Sequence, residues 1–173
     1  QKVTYLTSKL SSKGRYSIVA AGANTCYFFK LNFSKELKTV LSSSQLKLEA
    51  AEKLNVAAAW VFKTLVVETD THQLAVAILP VDQQLNFKKM AKALKVKKVQ
   101  MAETTKVERT TGYVLGGVSP LGQKKRLATV IHQSAASLTD MYISAGKRGL
   151  ELQMTPTDLQ SLLTASFSDI VND

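Results

Sequence analysis

The 173-residue sequence predicts an α+β domain built around a mixed or partly closed β-sheet. Its length suits one domain and is sufficient to bury a core without disulfides. Short runs rich in β-branched residues are interspersed with segments of helical spacing, without regular βαβ alternation. The single cysteine, Cys26, cannot form an internal disulfide, and together with His72 and His132 it gives no spacing typical of a zinc or haem site.

The net charge of +10 is concentrated in the first quarter of the chain. Residues 1–48 hold eight bases and one acid, whereas residues 49–173 hold fifteen bases and twelve acids. A basic N-terminal segment before a nearly balanced body is typical of a polyanion-binding arm. We therefore divide the chain into a poorly patterned basic segment, 1–48, expected to belong to the same domain, and a body, 49–173.

The sequence also indicates where the protein acts. No apolar run approaches the roughly 20 residues that a bilayer span requires. The first ten residues do not have the charged and then apolar order of a secretory signal. A lone cysteine fits a reducing compartment. We expect a soluble, cytoplasmic protein that makes no membrane contact.

Periodicity and capping residues define the elements of the body. Helical spacing predicts a helix over 49–59, and two β-branched runs, 60–68 and 73–79, predict a hairpin. Asn86 is a suitable N-cap for a helix over 87–94. The remaining predicted elements are strands at 98–101, 129–133, 141–144 and 150–154, a short helix over 104–109, and a helix that begins at Thr155 and Pro156.

The predicted helix over 87–94 is amphipathic. Its apolar residues, Phe87, Met90, Ala91 and Leu94, share one face. The other face is expected to be wet and carries Lys88, Lys89, Lys92 and Lys95. We interpret the whole lysine series from 88 to 98 as this solvated face.

Lys63 lies in an otherwise apolar predicted strand. Period-two alternation places it on the same face as Val61, Leu65 and Val67. Two interpretations are open. Lys63 is either an edge-strand lysine that discourages aggregation or a cation at the floor of a pocket for an anionic ligand.

A glycine-rich segment, 112–122, holds four of the eight glycines of the chain. The adjacent Gly116 and Gly117 allow a ligand to approach the backbone and direct N–H groups at an oxygen, although such pairs also form ordinary turns. Ser119 follows them, but no histidine lies nearby in sequence to activate it. A serine hydrolase is therefore weakly supported.

Two basic clusters follow the glycine pair. Each cluster alone is typical of a solvated turn, and the two together indicate a surface for a phosphate backbone. Their members are Lys124, Lys125 and Arg126 in the first, and Lys147 and Arg148 in the second.

Several ordered motifs carry a resemblance to a known family. They are Phe62-Lys63-Thr64-Leu65, Asn86-Phe87-Lys88-Lys89, Lys97-Lys98-Val99, Thr111-Gly112-Tyr113, Gly116-Gly117-Val118-Ser119-Pro120-Leu121-Gly122-Gln123-Lys124-Lys125 and Gly146-Lys147-Arg148-Gly149-Leu150. Over residues 49–173 the chain resembles the YbaK branch of the aminoacyl-tRNA deacylases. These are trans-editing proteins related to the insertion domain of bacterial prolyl-tRNA synthetase.

The resemblance implies a fold and a reaction. The fold is an α+β domain around a mixed, partly barrel-like sheet with surrounding helices. The reaction is hydrolysis of the ester that joins a wrongly attached cysteine to the proline tRNA. Lys63 corresponds to the central lysine of the family, which organises the aminoacyl-adenosine end, and Gly116 and Gly117 correspond to the backbone that lines the pocket. In this branch the substrate's own thiol is thought to attack its ester carbonyl, so no cofactor, metal or protein nucleophile is expected.

The same resemblance implies binding residues and partners. Ser119, Pro120 and Glu151 are the expected substrate-binding residues, and the two basic clusters are the expected tRNA contacts. The expected partner is Cys-tRNA(Pro), with prolyl-tRNA synthetase as a further candidate.

The sequence departs from the family pattern at two places. Relatives place a pocket tyrosine shortly before the helix that begins near Glu49, whereas this chain has no tyrosine between Tyr27 and Tyr113. Relatives also often carry aspartate where this chain has Glu151. These departures leave a second hypothesis open, a catalytically silent homologue that binds aminoacyl-tRNA or a synthetase.

Overall fold

The computed structural model describes residues 57–147 and 150–173, together with the backbone of three strands nearer the N-terminus. Most of the helix predicted over 49–59 lies outside the described residues, and a 3₁₀ turn occupies Ala58–Trp60. In the part of the chain that is described, no helix is long and apolar enough to cross a membrane.

The elements between residues 60 and 163 follow the predicted order, whereas the three N-terminal strands were not predicted. The N-terminal strands are β1 (Arg15–Gly22), β2 (Thr25–Asn32) and β3 (Lys38–Leu41). The body contains β4 (Val61–Thr69), β5 (Leu74–Pro80), α1 (Phe87–Leu94), β6 (Val99–Met101), α2 (Thr104–Thr111), β7 (Ala128–His132), β8 (Met141–Lys147), β9 (Leu150–Met154), α3 (Pro156–Leu163) and β10 (Ser166–Ser168). The hairpin, the 87–94 helix and the strands near 99, 129, 141 and 150 are confirmed, with α2 extending two residues beyond its predicted end.

The described strands form two sheets. β1 and β2 pair antiparallel as one small sheet. The main sheet has the order β10-β7-β5-β4-β8-β9-β3, and β6 pairs with the far end of β4. The β10–β7, β7–β5 and β4–β8 pairings are parallel, and the others are antiparallel. The predicted mixed sheet with surrounding helices is confirmed.

Strand β4 separates two hydrophobic clusters. Its residues Phe62 and Val66 belong to the first cluster, which also includes Val118, Leu121, Ile143 and Leu152. Its residue Val67 belongs to the second cluster, which also includes Leu79, Met90, Ala91, Ile170 and Val171. We call the sheet surfaces that bear these clusters the first face and the second face.

Helix α1 begins as the sequence predicts. The Asn86 side-chain oxygen accepts the N–H groups of Lys88 and Lys89, both at 3.0 Å, which satisfies two donors of the first turn. The prediction that Lys89 faces water is wrong. Its ammonium contacts Asp169 at 2.9 Å and Asp173 at 2.6 Å, so the lysine ties the helix to the segment after β10.

Helix α3 confirms the predicted N-terminal signals. The Thr155 hydroxyl accepts the Asp158 N–H at 3.1 Å, and Pro156 occupies the first turn, where its missing N–H costs no hydrogen bond. The strand that follows this helix, β10, was not predicted from the sequence. Its three residues, Ser166 to Ser168, are too short to show an apolar alternation.

His132 lies buried beneath the C-terminal segment. Its Nδ1 atom accepts the backbone N–H of Ile170 at 3.4 Å and lies 3.8 Å from Asp169. Burial lowers the pKa of His132 despite the nearby carboxylate. The hydrogen bond to Nδ1 requires an unprotonated nitrogen, so the neutral imidazole is the form that the fold accommodates.

We predict that His132 makes the fold sensitive to mild acid. Because its pKa is lowered on folding, the unfolded chain binds the proton more readily, and the free energy of unfolding falls as the pH drops below about 6.5. Urea unfolding at several pH values between 7 and about 5.5 should show a shallower fall for His132→Gln than for the parent. Equal slopes for His132→Gln and the parent would contradict the prediction.

Candidate functional site

Lys63 lies inside the main sheet. It pairs with Leu79 of β5, while the other side of β4 is bordered by β8 and β6. The edge-strand interpretation of Lys63 is therefore wrong. Its half-buried ammonium donates hydrogen bonds to the carbonyl oxygen of Val81, at 3.2 Å, and to that of Gln83. These carbonyl dipoles hold a cation near the start of β4.

Strand register places three polar side chains on the second face. Phe62 pairs with Ile143, and Ile143 pairs with Leu152, and all three are buried in the first cluster. Since successive residues of a strand point to opposite faces, the neighbours Lys63, Ser144 and Glu151 lie on the second face. Ser144 and Glu151 pair directly across β8 and β9. We call these three residues the polar trio.

Lys63 and Glu151 were predicted from the sequence as site residues, whereas Ser144 was not. The signal was present, since Met141 and Ile143 alternate with Tyr142 and Ser144 in β8. The parallel β4–β8 pairing that aligns this alternation with Lys63 joins residues about 80 positions apart, and no local pattern predicts it.

The glycine-rich segment forms a closed loop between α2 and β7. The Lys124 N–H donates to the Thr111 carbonyl at 3.0 Å and closes the loop. Val118 and Leu121 pack into the first cluster, so the loop is anchored on the face opposite to Lys63. The structure therefore does not place the anchoring residues of this loop on the same face as the polar trio.

Inside the loop, several predicted site residues have structural partners. The Gly117 N–H donates to the Val114 carbonyl at 3.0 Å, which makes a tight turn around Gly116 with its φ of 92°. The hydroxyl oxygen of Ser119, which is 2% exposed, accepts the Leu121 N–H at 3.2 Å. Pro120 is buried beside it. The arrangement holds the Gly116 turn at the surface.

Tyr113 connects this loop to the hairpin that carries Ser144 and Glu151. Its hydroxyl donates to the Leu121 carbonyl at 2.8 Å. Its ring lies against Gly146, where an added Cβ would be 2.4 Å from a ring carbon. Gly146 has a φ of 91° and its N–H donates to the Ser144 hydroxyl oxygen at 3.4 Å. Glycine is required at position 146 because the backbone has a positive φ and because the Tyr113 ring leaves no room for a Cβ.

The predicted tRNA contacts differ in their surroundings. Arg126 donates to the Leu162 carbonyl at 3.2 Å and to the Thr164 hydroxyl, and it so covers the C-terminal end of α3. The Lys124 side chain lies against Gly112, whereas Lys125 and Lys147 are exposed. Arg148 lies outside the described residues.

Comparison with known proteins decides the family. Residues 45–162 match the model of the aminoacyl-tRNA editing domain. The chain belongs to the aminoacyl-tRNA editing domain family. This confirms the resemblance that the ordered motifs carry, and the match covers almost all of the body.

Individual proteins are also similar to the chain. It is 38% identical over 137 residues to a protein of Enterococcus faecalis provisionally named Cys-tRNA(Pro)/Cys-tRNA(Cys) deacylase EbsC, which covers 79% of this chain and 84% of that protein. It is 30% identical over 99 residues to a proline–tRNA ligase of Trichlorobacter lovleyi, of which it covers 17%. A solved structure described as a candidate trans-editing enzyme for prolyl-tRNA synthetase superposes with a TM-score of 0.73 at 20% identity, covering 79% of this chain and 87% of that one. The similarity to this solved structure shows that the two proteins share a fold.

We predict that the contact between Tyr113 and Gly146 limits substitution at position 146. Gly146→Ala should lower the free energy of unfolding by about 3 kcal/mol, since it adds a clash with the ring to the strain of a positive φ. Gly112→Ala is the matched control. Its φ is also positive, at 82°, but its Cβ would meet only the flexible Lys124 side chain, so it should cost about 1 kcal/mol.

A double substitution separates the two contributions. In a Tyr113→Ala background, Gly146→Ala should lower the free energy of unfolding no more than Gly112→Ala does. Denaturant unfolding of the two single variants and the double variant should then give an interaction energy of about 1–2 kcal/mol between positions 113 and 146. Additive costs would show that the ring does not exclude a side chain at position 146.

Proposed function

We propose that the chain hydrolyses the ester of mischarged Cys-tRNA(Pro) and so supports the fidelity of translation. The proposal is based on the 38% identity to a relative that is provisionally named as this deacylase, and the match covers 84% of that relative. The polar trio supports it with a suitable chemical arrangement. Translation takes place in the cytoplasm, which is where we propose that the protein acts.

The polar trio matches the polar groups of an aminoacyl ester. Such an ester carries an α-ammonium group beside a carbonyl that becomes negatively charged during attack. The Glu151 carboxylate suits the ammonium, whereas Lys63 and the Ser144 hydroxyl suit the developing oxyanion. Prepositioned donors at an oxyanion are worth about 3 kcal/mol each in enzymes that rely on them.

Cysteine itself supplies the nucleophile in this proposal. Its thiol loses a proton, and the sulfur attacks the ester carbonyl carbon to form a C–S bond. The C–O bond to the tRNA then breaks, the 3′ oxygen takes up a proton, and a cyclic thioester leaves that water later opens. In this mechanism the protein contributes orientation and oxyanion stabilisation and needs no nucleophile of its own.

The glycine-rich loop has an indirect role in the proposal. Tyr113 presses the loop against Gly146, two residues after Ser144. We propose that Gly116 and Gly117 reach the rim of the site by way of this contact, although the loop is anchored on the first face, and that Ser119 and Pro120 hold their turn in place. Prolyl-tRNA synthetase is proposed as a further partner, because the tRNA that this protein edits is the product of that enzyme.

The first functional prediction concerns Lys63. Lys63→Met should lower kcat/KM for release of labelled cysteine from Cys-tRNA(Pro) by about 100-fold, the scale expected for one prepositioned electrostatic contact. Lys106→Met, which removes a lysine paired with Glu68 away from the polar trio, should retain the parental rate. Near-parental activity of a folded Lys63→Met variant would remove Lys63 from the mechanism.

The second functional prediction concerns the substrate thiol. Ser-tRNA(Pro) and Ala-tRNA(Pro) should be hydrolysed far more slowly than Cys-tRNA(Pro), since a hydroxyl is much less acidic than a thiol and a methyl group cannot attack. Single-turnover deacylation of the three substrates measures the difference. Comparable rates for alanine would show that water is the nucleophile. If tRNA binds but none of the three is hydrolysed, the chain is the catalytically silent homologue.

A further inference from the structure

The segment from Gln83 to Ala102 is the most basic part of the body. It contains six lysines and no acidic residue. Without these lysines, residues 49–173 would hold nine bases against twelve acids. The positive charge of the body therefore resides in this segment, which comprises α1, the turn after it and β6.

Five of the six lysine side chains form no ion pair within the described part of the chain. Lys89 is the exception, because it pairs with Asp169 and Asp173. The others are exposed and form no ion pair with any described residue. We call them the lysine surface: Lys88, Lys92, Lys95, Lys97 and Lys98.

Mutual repulsion makes this grouping costly without a partner. Like charges spaced three or four residues apart on a helix destabilise it by a few tenths of a kcal/mol per pair. Lys88 and Lys92 have this spacing in α1, and Lys95 follows in the turn. A bound polyanion would remove this repulsion and release counterions at the same time.

The lysine surface lies on the same side of the sheet as Lys63. Helix α1 packs on the second face through Met90 and Ala91, and Lys63 donates to the carbonyls of the segment that leads into this helix. At the other end, the Lys98 carbonyl accepts the Asp70 N–H beside the last residue of β4. Lys63 and Thr69 are six positions apart in the strand, a distance of about 20 Å. The segment that carries the surface thus runs from Gln83, whose carbonyl contacts Lys63, to Lys98 beside the far end of β4.

The first basic cluster predicted from the sequence lies differently. The loop that contains Lys124 is anchored on the first face, and Arg126 is engaged with the end of α3. A tRNA whose aminoacyl end reaches Lys63 approaches the second face, where the lysine surface is located.

We infer that the lysine surface binds the phosphate backbone of the tRNA acceptor arm. The inference rests on the proposed function, which places the aminoacyl end at Lys63. It revises the interpretation of the lysine series as a solvated helix face. Isolated ammonium groups suit phosphate contacts that are independent of base sequence, because they act as point charges and carry no base-reading geometry.

Two triple variants with equal loss of charge test the inference. Lys92→Gln/Lys97→Gln/Lys98→Gln should weaken binding of full-length tRNA about tenfold or more at low salt and reduce the log–log salt slope by about 2. Lys124→Gln/Lys125→Gln/Lys147→Gln is the comparison, and it should change the slope by less. Replacing Lys92, Lys97 and Lys98 by arginine should retain the parental slope, because the charges remain. Thermal unfolding of each variant shows whether it is folded.

A short substrate separates this inference from the proposed function. Cysteine esterified to adenosine has the reacting end without an acceptor arm, so the parent and the Lys92→Gln/Lys97→Gln/Lys98→Gln variant should hydrolyse it equally. If the parent hydrolyses neither this ester nor Cys-tRNA(Pro), the proposed function fails. If the parent hydrolyses both and the variant retains the parental KM and salt slope for tRNA, the lysine surface is not the contact. Loss of synthetase binding without loss of tRNA binding would assign the surface to a protein partner and overturn the inference.

Discussion

The burial of β4 on both faces is the constraint on which the rest of the structure depends. A strand in this position needs apolar side chains on both of its faces. Phe62 and Val66 belong to the first cluster, and Val67 belongs to the second. The glycine-rich loop covers the first face and α1 covers part of the second. Lys63 lies where this cover ends, with two carbonyl oxygens as its partners.

Local signals in the sequence predicted most of the body because each acts over a few residues. Asn86 and Thr155 satisfy N–H groups two or three positions away, so their capping depends on no distant contact. The β-branched runs around Thr69 to His72 have the spacing of a hairpin and form one. The ordered motifs added the family, which the family-model match over residues 45–162 confirmed.

Contacts between distant segments could not be predicted in the same way. The partners of Lys89 are about 80 residues away, so the helical pattern alone suggested a solvated side chain. Ser144 joins Lys63 only through the parallel pairing of β4 with β8, and β10 is too short to be recognised. The candidate site depends on such pairings. Its residue types were visible in the sequence, but their common face was not.

The position of Ile170 and Val171 affects how the chain can fold. Both residues belong to the second cluster, and Val171 also bridges to Leu85 while Asn172 donates its N–H to the Gln84 carbonyl. The cluster that starts with Val67 in β4 is thus completed about 100 residues later. Closing so long a loop has an entropic cost that no local contact offsets. During synthesis, the second cluster therefore remains incomplete until the segment after β10 leaves the ribosome, and an incomplete apolar cluster favours aggregation and chaperone binding of the nascent chain.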